Sequence, residues 1–291
     1  MGWTTWILLS AFFLALYDIA KKASVRDNAV LPVLFCSTCC GCVAFVLGVC
    51  VCGRLAAVWS AADGRVIALA AIKSVIVASS WVFTFKALRT LPITIATPIR
   101  ASAPALVFVV ALFLYGEVPT IIQAIGMLAV FGGYFAFSWA GSHEGIDFFH
   151  NRAVWCAIAG AFLSAISSIW DKYVFQVAAA PVESVQFFFQ IGLALVYALL
   201  LLGQRALRLP RNRFEFRVTI PFVGILLAMA DWLYFSGLAV PGAPISVGSL
   251  LRRFSVVITF VLGAKIFSET NLRRKGLALG VILVGVVLLC I

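Results

Sequence analysis

The sequence predicts an all-α integral membrane protein of ten transmembrane helices, arranged as two inverted five-helix repeats, and three observations carry that reading. Of its 291 residues, 64% are hydrophobic and 11% charged, with a mean hydropathy of +1.11, a balance that water-soluble domains do not have. The apolar residues gather into stretches of about 20, the length that crosses a hydrocarbon core of about 30 Å. One pattern also occurs twice at a fixed spacing.

That pattern runs from Trp81 to Glu117 and returns from Leu233 to Glu269. Pro92, Ile93, Arg100 and Glu117 answer to Pro244, Ile245, Arg252 and Glu269, and 269 minus 117 is 152. Phe83 with Phe235, and Thr94 with Ser246, keep the same offset. In each copy an apolar helix ends in a turn, a Pro opens the next helix, an Arg follows, and a Glu closes the far end.

Taken in order, spans near residues 3–23, 30–52, 66–88, 92–115 and 119–140 make the first repeat, residues 1–140. A polar linker, residues 141–152, precedes spans near 153–175, 182–203, 218–239, 244–267 and 272–291, which make the second repeat, residues 153–291. Because five is odd, the second repeat enters the membrane from the opposite side, the arrangement that suits alternating access. Met1 to Trp6 lacks a basic n-region, so the first span is expected to be retained.

The net charge of +11 follows from topology and not from nucleic-acid binding. Loops after the odd-numbered spans hold nearly all the basic residues, such as Lys21, Lys22, Arg205, Arg208 and Arg217. The opposite face has Arg54, Arg65 and Lys172. The positive-inside rule puts the basic loops in the cytoplasm and both termini outside a cell membrane, the inner one if the cell is Gram-negative. Gly276 with Gly280, and Gly126 with Gly132 and Gly133, are expected to let helices approach within the fold; a homodimer use of them leaves monomer and homodimer both open.

Charged residues inside apolar spans cost about 3 kcal/mol each unless paired or hydrated, so they point to function. Counting rise along each span puts Asp18 level with Arg100 near one face, and Asp171 level with Arg252 near the other. These are candidate gate pairs, or static pairs that pin helices. Lys73, Asp231 and Arg253 have no charged counterpart in the other repeat. With Trp81, Trp232 and Tyr234 as aromatic walls they form a candidate solute site, where a carboxylate would meet Arg or Lys and an amine would meet Asp231. The competing reading is a Lys73–Asp231 ion pair with its aromatics facing lipid. Breaks at Thr94, Thr97, Pro98, Ser102 and Pro104, and at Pro241, Gly242, Pro244, Ser246, Gly248 and Ser249, free carbonyls and hydroxyls for a polar path or for neighbouring helices. Gln186 and Gln190 add uncharged polar groups one turn apart.

Other signals carry no expected chemistry. Six of the eight cysteines lie in the second span, where Cys36, Cys39 and Cys40 share a face as small apolar packers. His143, Glu144, Asp147 and His150 read as a solvated linker. No cofactor, metal or enzymatic activity is expected, since the chain offers no phosphate-binding Gly loop, nucleophile elbow or convergent triad.

The two copies, with "YGEVPTIIQAIGM" and "FSETNLRRKGLAL", resemble the drug/metabolite transporter superfamily, in particular the EamA-type ten-helix carriers. Gly116–Glu117 becomes Ser268–Glu269 in the second copy. The resemblance covers essentially the whole chain. It implies a secondary carrier of small metabolites, with a central cavity lined by spans 1, 3, 4, 6, 8 and 9 and termini commonly drawn in the cytoplasm, opposite to the charge-based orientation. The expected function is alternating-access transport of a small polar organic solute, an amino acid or related metabolite, with a coupling proton or ion left open. The alternatives are exchange of phosphorylated or nucleotide-linked sugars, and a membrane scaffold without transport.

Overall fold

The computed structural model describes residues 2–25, 28–60, 63–90, 118–139, 152–208, 213–267 and 272–289, with single positions at 107, 113 and 116. Among these residues the regular structure is helical throughout. The helices are α1 (Trp3–Val25), α2 (Val30–Val51), a short α3 (Leu55–Ser60), α4 (Gly64–Thr90), α5 (Ile121–Trp139) and α6 (Arg152–Lys172). They continue as α7 (Val182–Ala206), α8 (Thr219–Leu238), α9 (Ile245–Arg252), α10 (Ser255–Phe267) and α11 (Leu272–Leu289). Six of them are long and apolar enough to cross a membrane. A helix satisfies its own backbone, which lipid requires of any spanning segment. The expected fourth span, residues 92–115 apart from positions 107 and 113, and the linker, residues 141–151, lie outside the described residues.

Large apolar side chains cover the outside as well as the core, as lipid solvent dictates, and the interior also holds polar and charged groups. Phe12, Val43, Leu47, Phe135, Leu195 and Leu199 point outward, while Ser10, Lys73, Gln186 and Asp171 are buried. With no hydrophobic drive between helices in lipid, small residues and polar bonds must hold the bundle. On α1 the Ser10 hydroxyl donates to the Ala230 carbonyl of α8 at 2.6 Å, and Gly237 of α8 lies against Trp6 and Ile7. On α4 the Ser80 hydroxyl donates to Gly160 O of α6 at 2.8 Å, and Gly160 leaves no room for a methyl group beside Thr84. Ser74 of α4 donates to Phe189 O of α7 at 3.0 Å, and Gly224 of α8 nests against Ser37 and Gly41 of α2.

The fifth and eleventh helices cross at Gly133 and Gly285. Gly276 and Gly280, expected to serve such packing, have nothing of the described chain within 4 Å of where a side chain would begin. The internal role therefore falls to Gly126, Gly133 and Gly285, which share one face of the crossing.

Two irregularities shape the interior. After Lys172, α6 widens into a π-turn (Tyr173–Val177) closed by Ala178 N–H donating to Tyr173 O at 2.8 Å. Gln176 at this turn donates to Leu238 O at 2.9 Å and Ala243 O at 2.7 Å, fastening the loop that leads into α9. The expected ninth span is broken: Arg253 N–H donates to Leu250 O at 2.9 Å and Phe254 N–H to Leu251 O at 3.0 Å, a 3₁₀-like tightening between α9 and α10.

Candidate functional site

Polar positions recur at helical spacing along four helices and so share one interior face of each. They are Tyr17, Asp18 and Lys21 on α1; Lys73, Ser80 and Thr84 on α4; Ser164, Ser167, Ser168 and Asp171 on α6; Asp231 and Tyr234 on α8. With Ser249, Arg252, Arg253 and Ser255 from the α9–α10 break, they enclose a central cavity of about 200 Å³.

Arg252 and Arg253, at the tightened turn between α9 and α10, both line the cavity.

The buried charges pair differently from the sequence expectation. The Lys73 ammonium donates to the Asp171 carboxylate, and the Arg252 guanidinium donates to Asp231. Asp171 was expected to couple with Arg252, and Asp231 with Lys73 in the competing reading. Both pairings are replaced because the close α4–α6 contact at Gly160 sets Lys73 opposite Asp171, while Asp231 faces the end of α9. Lys73 is 2% exposed, and its Nζ lies 4.3 Å from the Phe235 ring centre and 4.8 Å from that of Phe189. The Arg252 guanidinium sits 4.3 Å from the Tyr234 ring centre. Carboxylate on one side and aromatic faces on the other compensate the desolvated cations.

Asp18 has Lys21 at 4.0 Å, and the Lys21 ammonium lies 4.6 Å from the Phe85 ring centre. Arg100, the expected partner of Asp18, lies outside the described residues, as do Thr94, Thr97, Pro98, Ser102 and Pro104. The two layers inferred from depth counting thus merge. Lys73, Trp81, Asp231 and Arg253 line the same cavity as Asp18, Asp171 and Arg252. Rise per residue locates a Cα, whereas long Lys and Arg side chains reach several ångströms along the bundle.

Trp232 is absent from the cavity lining and packs edge-on against Trp6 at 5.8 Å between ring centres. Gln190 lines a small adjoining chamber of about 20 Å³ that shares Asp231 and Phe189 with the main cavity. Gln186 is fully buried, and its side-chain amide has no partner among the described residues.

Sequence reasoning singled out Ser249 but missed the hydroxyls of α6. Ser164, Ser167 and Ser168 precede Asp171 at seven, four and three residues, one face of one helix, and that spacing was the signal. Lys21 stands three residues from Asp18, on the same face of α1.

An interior of paired charges and hydroxyls within a lipid-facing helical bundle defines a polytopic membrane protein with a polar cavity at its core. Residues 1–139 match the EamA-like transporter family. A solved crystal structure superposes with a TM-score of 0.74 over 98% of this chain and 94% of that one, at 16% identity, a likeness of fold. The family match over residues 1–139 supports membership of the drug/metabolite transporter superfamily, to which EamA-like membrane transporters belong. No curated protein matches the sequence.

Proposed function

We propose that this protein is a secondary transporter that carries a small polar organic solute of amino-acid size by alternating access. It does so through ten spans built as two inverted five-helix repeats, residues 1–140 and 153–291. The observation that carries the reading is the central cavity, which draws its lining from matching helices of both halves: α1 and α6, α4 and α8. The packing supports the inverted arrangement, since α1 on α8 answers to α6 on α4, and α2 on α8 answers to α7 on α4.

Size argues for the small solute. About 200 Å³ is somewhat more than the ~150 Å³ cavity that holds benzene and less than the ~300–1,000 Å³ of a drug-sized pocket. A nucleotide-linked sugar exceeds it. A scaffold would have no use for two ion pairs, Lys73–Asp171 and Arg252–Asp231, held in the middle of a lipid-facing bundle at the cost of desolvation. Lys73, Trp81, Asp231 and Arg253 bound the solute space, and the two ion pairs are the elements that re-pair between states.

Purified protein in proteoliposomes tests the proposal by counterflow of radiolabelled small solutes, with and without a proton or sodium gradient. The expected result is saturable exchange above protein-free vesicles that falls at least tenfold in Arg253→Gln. Exchange indistinguishable from empty vesicles across amino acids, hydroxy acids and amines would sink the carrier reading.

A further inference from the structure

The smaller chamber, of about 20 Å³, lies between α2, α7 and α8 and shares Asp231 and Phe189 with the central cavity. A single water needs roughly 10–15 Å³, so the chamber takes one small guest. Its polar lining comes from three helices: Ser37 and Thr38 of α2, Gln190 of α7 and Asp231 of α8. Each of these residues is less than a tenth exposed. The crossing of α2 on α8 shapes this corner. Gly41 and Gly224 let the two backbones touch, and Gln190 Oε1 reaches to 3.2 Å from where a side chain on Gly41 would begin.

Oxygen acceptors gather here without donors to match. The Ser37 hydroxyl gives its proton to Leu34 O at 3.1 Å. Asp231 accepts from Arg252 through Oδ1, and its Oδ2 takes no hydrogen bond from the described residues. Gln190 and Thr38 have no hydrogen-bond partner among those residues either. One turn before Gln190, Gln186 is fully buried with both amide atoms unpartnered. Unpaired polar groups are costly inside a lipid-facing bundle, so the corner calls for a guest. A water brings two donors, whereas a cation meets every oxygen at once. Carboxylate, amide and hydroxyl oxygens are the ligands of hard cations. One carboxylate suits a single positive charge, and room for one water suits sodium over the larger potassium.

Building on the carrier reading, we propose that the chamber binds one sodium ion through Asp231, Gln190, Thr38 and Ser37, and that the ion releases Arg252 from Asp231 to hold an anionic group of the solute. The charges balance within the exchange itself. Ion and anionic group enter together, one positive and one negative, so the total charge of the interior is unchanged whatever other residues contribute. An ion alone competes with Arg252 for one carboxylate. An anionic group alone draws Arg252 away and leaves Asp231 buried without its partner. Each therefore favours the other, by the same factor in both directions. Arg252 is equipped for the second contact, since its Nε is buried without a partner among the described residues.

The test is binding of radioactive sodium to the purified full-length protein, alongside thermal unfolding in sodium, potassium and choline chloride at equal ionic strength. One saturable sodium per chain is expected, with a melting temperature that rises with sodium and a response to potassium about tenfold weaker. Thr38→Val and Gln190→Leu are each expected to weaken sodium binding about tenfold, while Thr38→Ser keeps it. Melting in choline chloride reports whether each variant is folded. Arg252→Gln removes the competitor for Asp231 and is expected to tighten sodium binding about tenfold, a gain that a merely structural contact would not give.

Sodium binding no stronger than that of potassium means that the chamber holds water only and overturns the site. So does sodium binding that survives Thr38→Val and Gln190→Leu together. Unchanged or weaker binding in Arg252→Gln overturns the exchange of partners. Counterflow separates this from the carrier reading: solute exchange at one rate in sodium and in choline defeats the coupling alone, whereas sodium binding without any solute exchange defeats transport alone.

Discussion

Gly133 and Gly285 occupy equivalent places on the two sides of one helix crossing. A methyl group added at Gly133 would meet the Ile282 side chain at 2.6 Å and Ala278 O at 2.9 Å. One added at Gly285 would meet the Val130 side chain and Gly126 O, both at 2.7 Å. The separations 285 minus 133, 282 minus 130 and 278 minus 126 are all 152. That is the offset between Glu117 and Glu269, so the crossing of α5 and α11 carries the same register as the repeat in the sequence.

Gly133→Ala and Gly285→Ala are therefore expected to destabilise the protein by about 1–3 kcal/mol each through overpacking. Gly280→Ala, with nothing of the described chain nearby, is expected to change stability by less than about 0.5 kcal/mol. Thermal unfolding in detergent reads both. Equal losses at Gly133 and Gly280 would count against the crossing geometry.

The Lys73–Asp171 pair makes a different prediction, because each partner alone would leave a buried charge. Lys73→Met and Asp171→Asn are each expected to cost about 3–5 kcal/mol, whereas the double variant recovers most of that loss. A double variant as unstable as the sum of the two singles would mean that neither charge compensates the other. The same double variant separates stability from transport: restored melting with abolished counterflow assigns the pair a role beyond holding helices.

Much of this fold was legible because lipid imposes simple rules. Apolar length located α1, α2, α4, α7 and α8 to within a few residues, and the offset of 152 is the one that governs the α5–α11 crossing. What escaped was local. Nothing in the composition of residues 173–177 announces a π-turn, and the break after Arg252 has no proline or glycine to mark it. The charged residues of the cavity were visible as charges in apolar runs, but their pairing was not. Pairing depends on which faces the small-residue contacts at Gly160 and Gly237 turn toward each other. The serines of α6 went unread because a hydroxyl in a spanning helix so often bonds its own backbone, as Ser168 does to Ser164 O at 3.1 Å.

Gln176 ties the π-turn to the entrance of α9 by two bonds from one amide, to Leu238 O and Ala243 O. Its loss leaves two carbonyls without that donor in a partly buried place. Gln176→Ala is expected to lower stability by about 1–3 kcal/mol. It should also slow solute exchange in counterflow, since the α9–α10 break beside Arg252 and Arg253 hangs from this loop. A stability loss with unchanged exchange would confine Gln176 to holding the loop.

The sidedness of the chain rests on loop charge and is open to direct measurement. The segment between α7 and α8 holds Arg208, Arg211, Arg213 and Arg217, with Arg205 at the end of α7, whereas the segment between α2 and α4 holds Arg54, with Arg65 at the start of α4. The positive-inside rule assigns the first to the cytoplasm. Two reporters separate the orientations: a chain keeping Cys52 as its sole cysteine, and a cysteine-free chain carrying Leu207→Cys. Both positions are exposed and lie in these two segments. In intact cells, a membrane-impermeant maleimide is expected to label the Cys52 reporter and spare the Leu207→Cys reporter, and permeabilisation should expose the second. The opposite pattern would put both termini in the cytoplasm. The basic loops would then face outward, and the cavity would be presented to solutes from the reverse side.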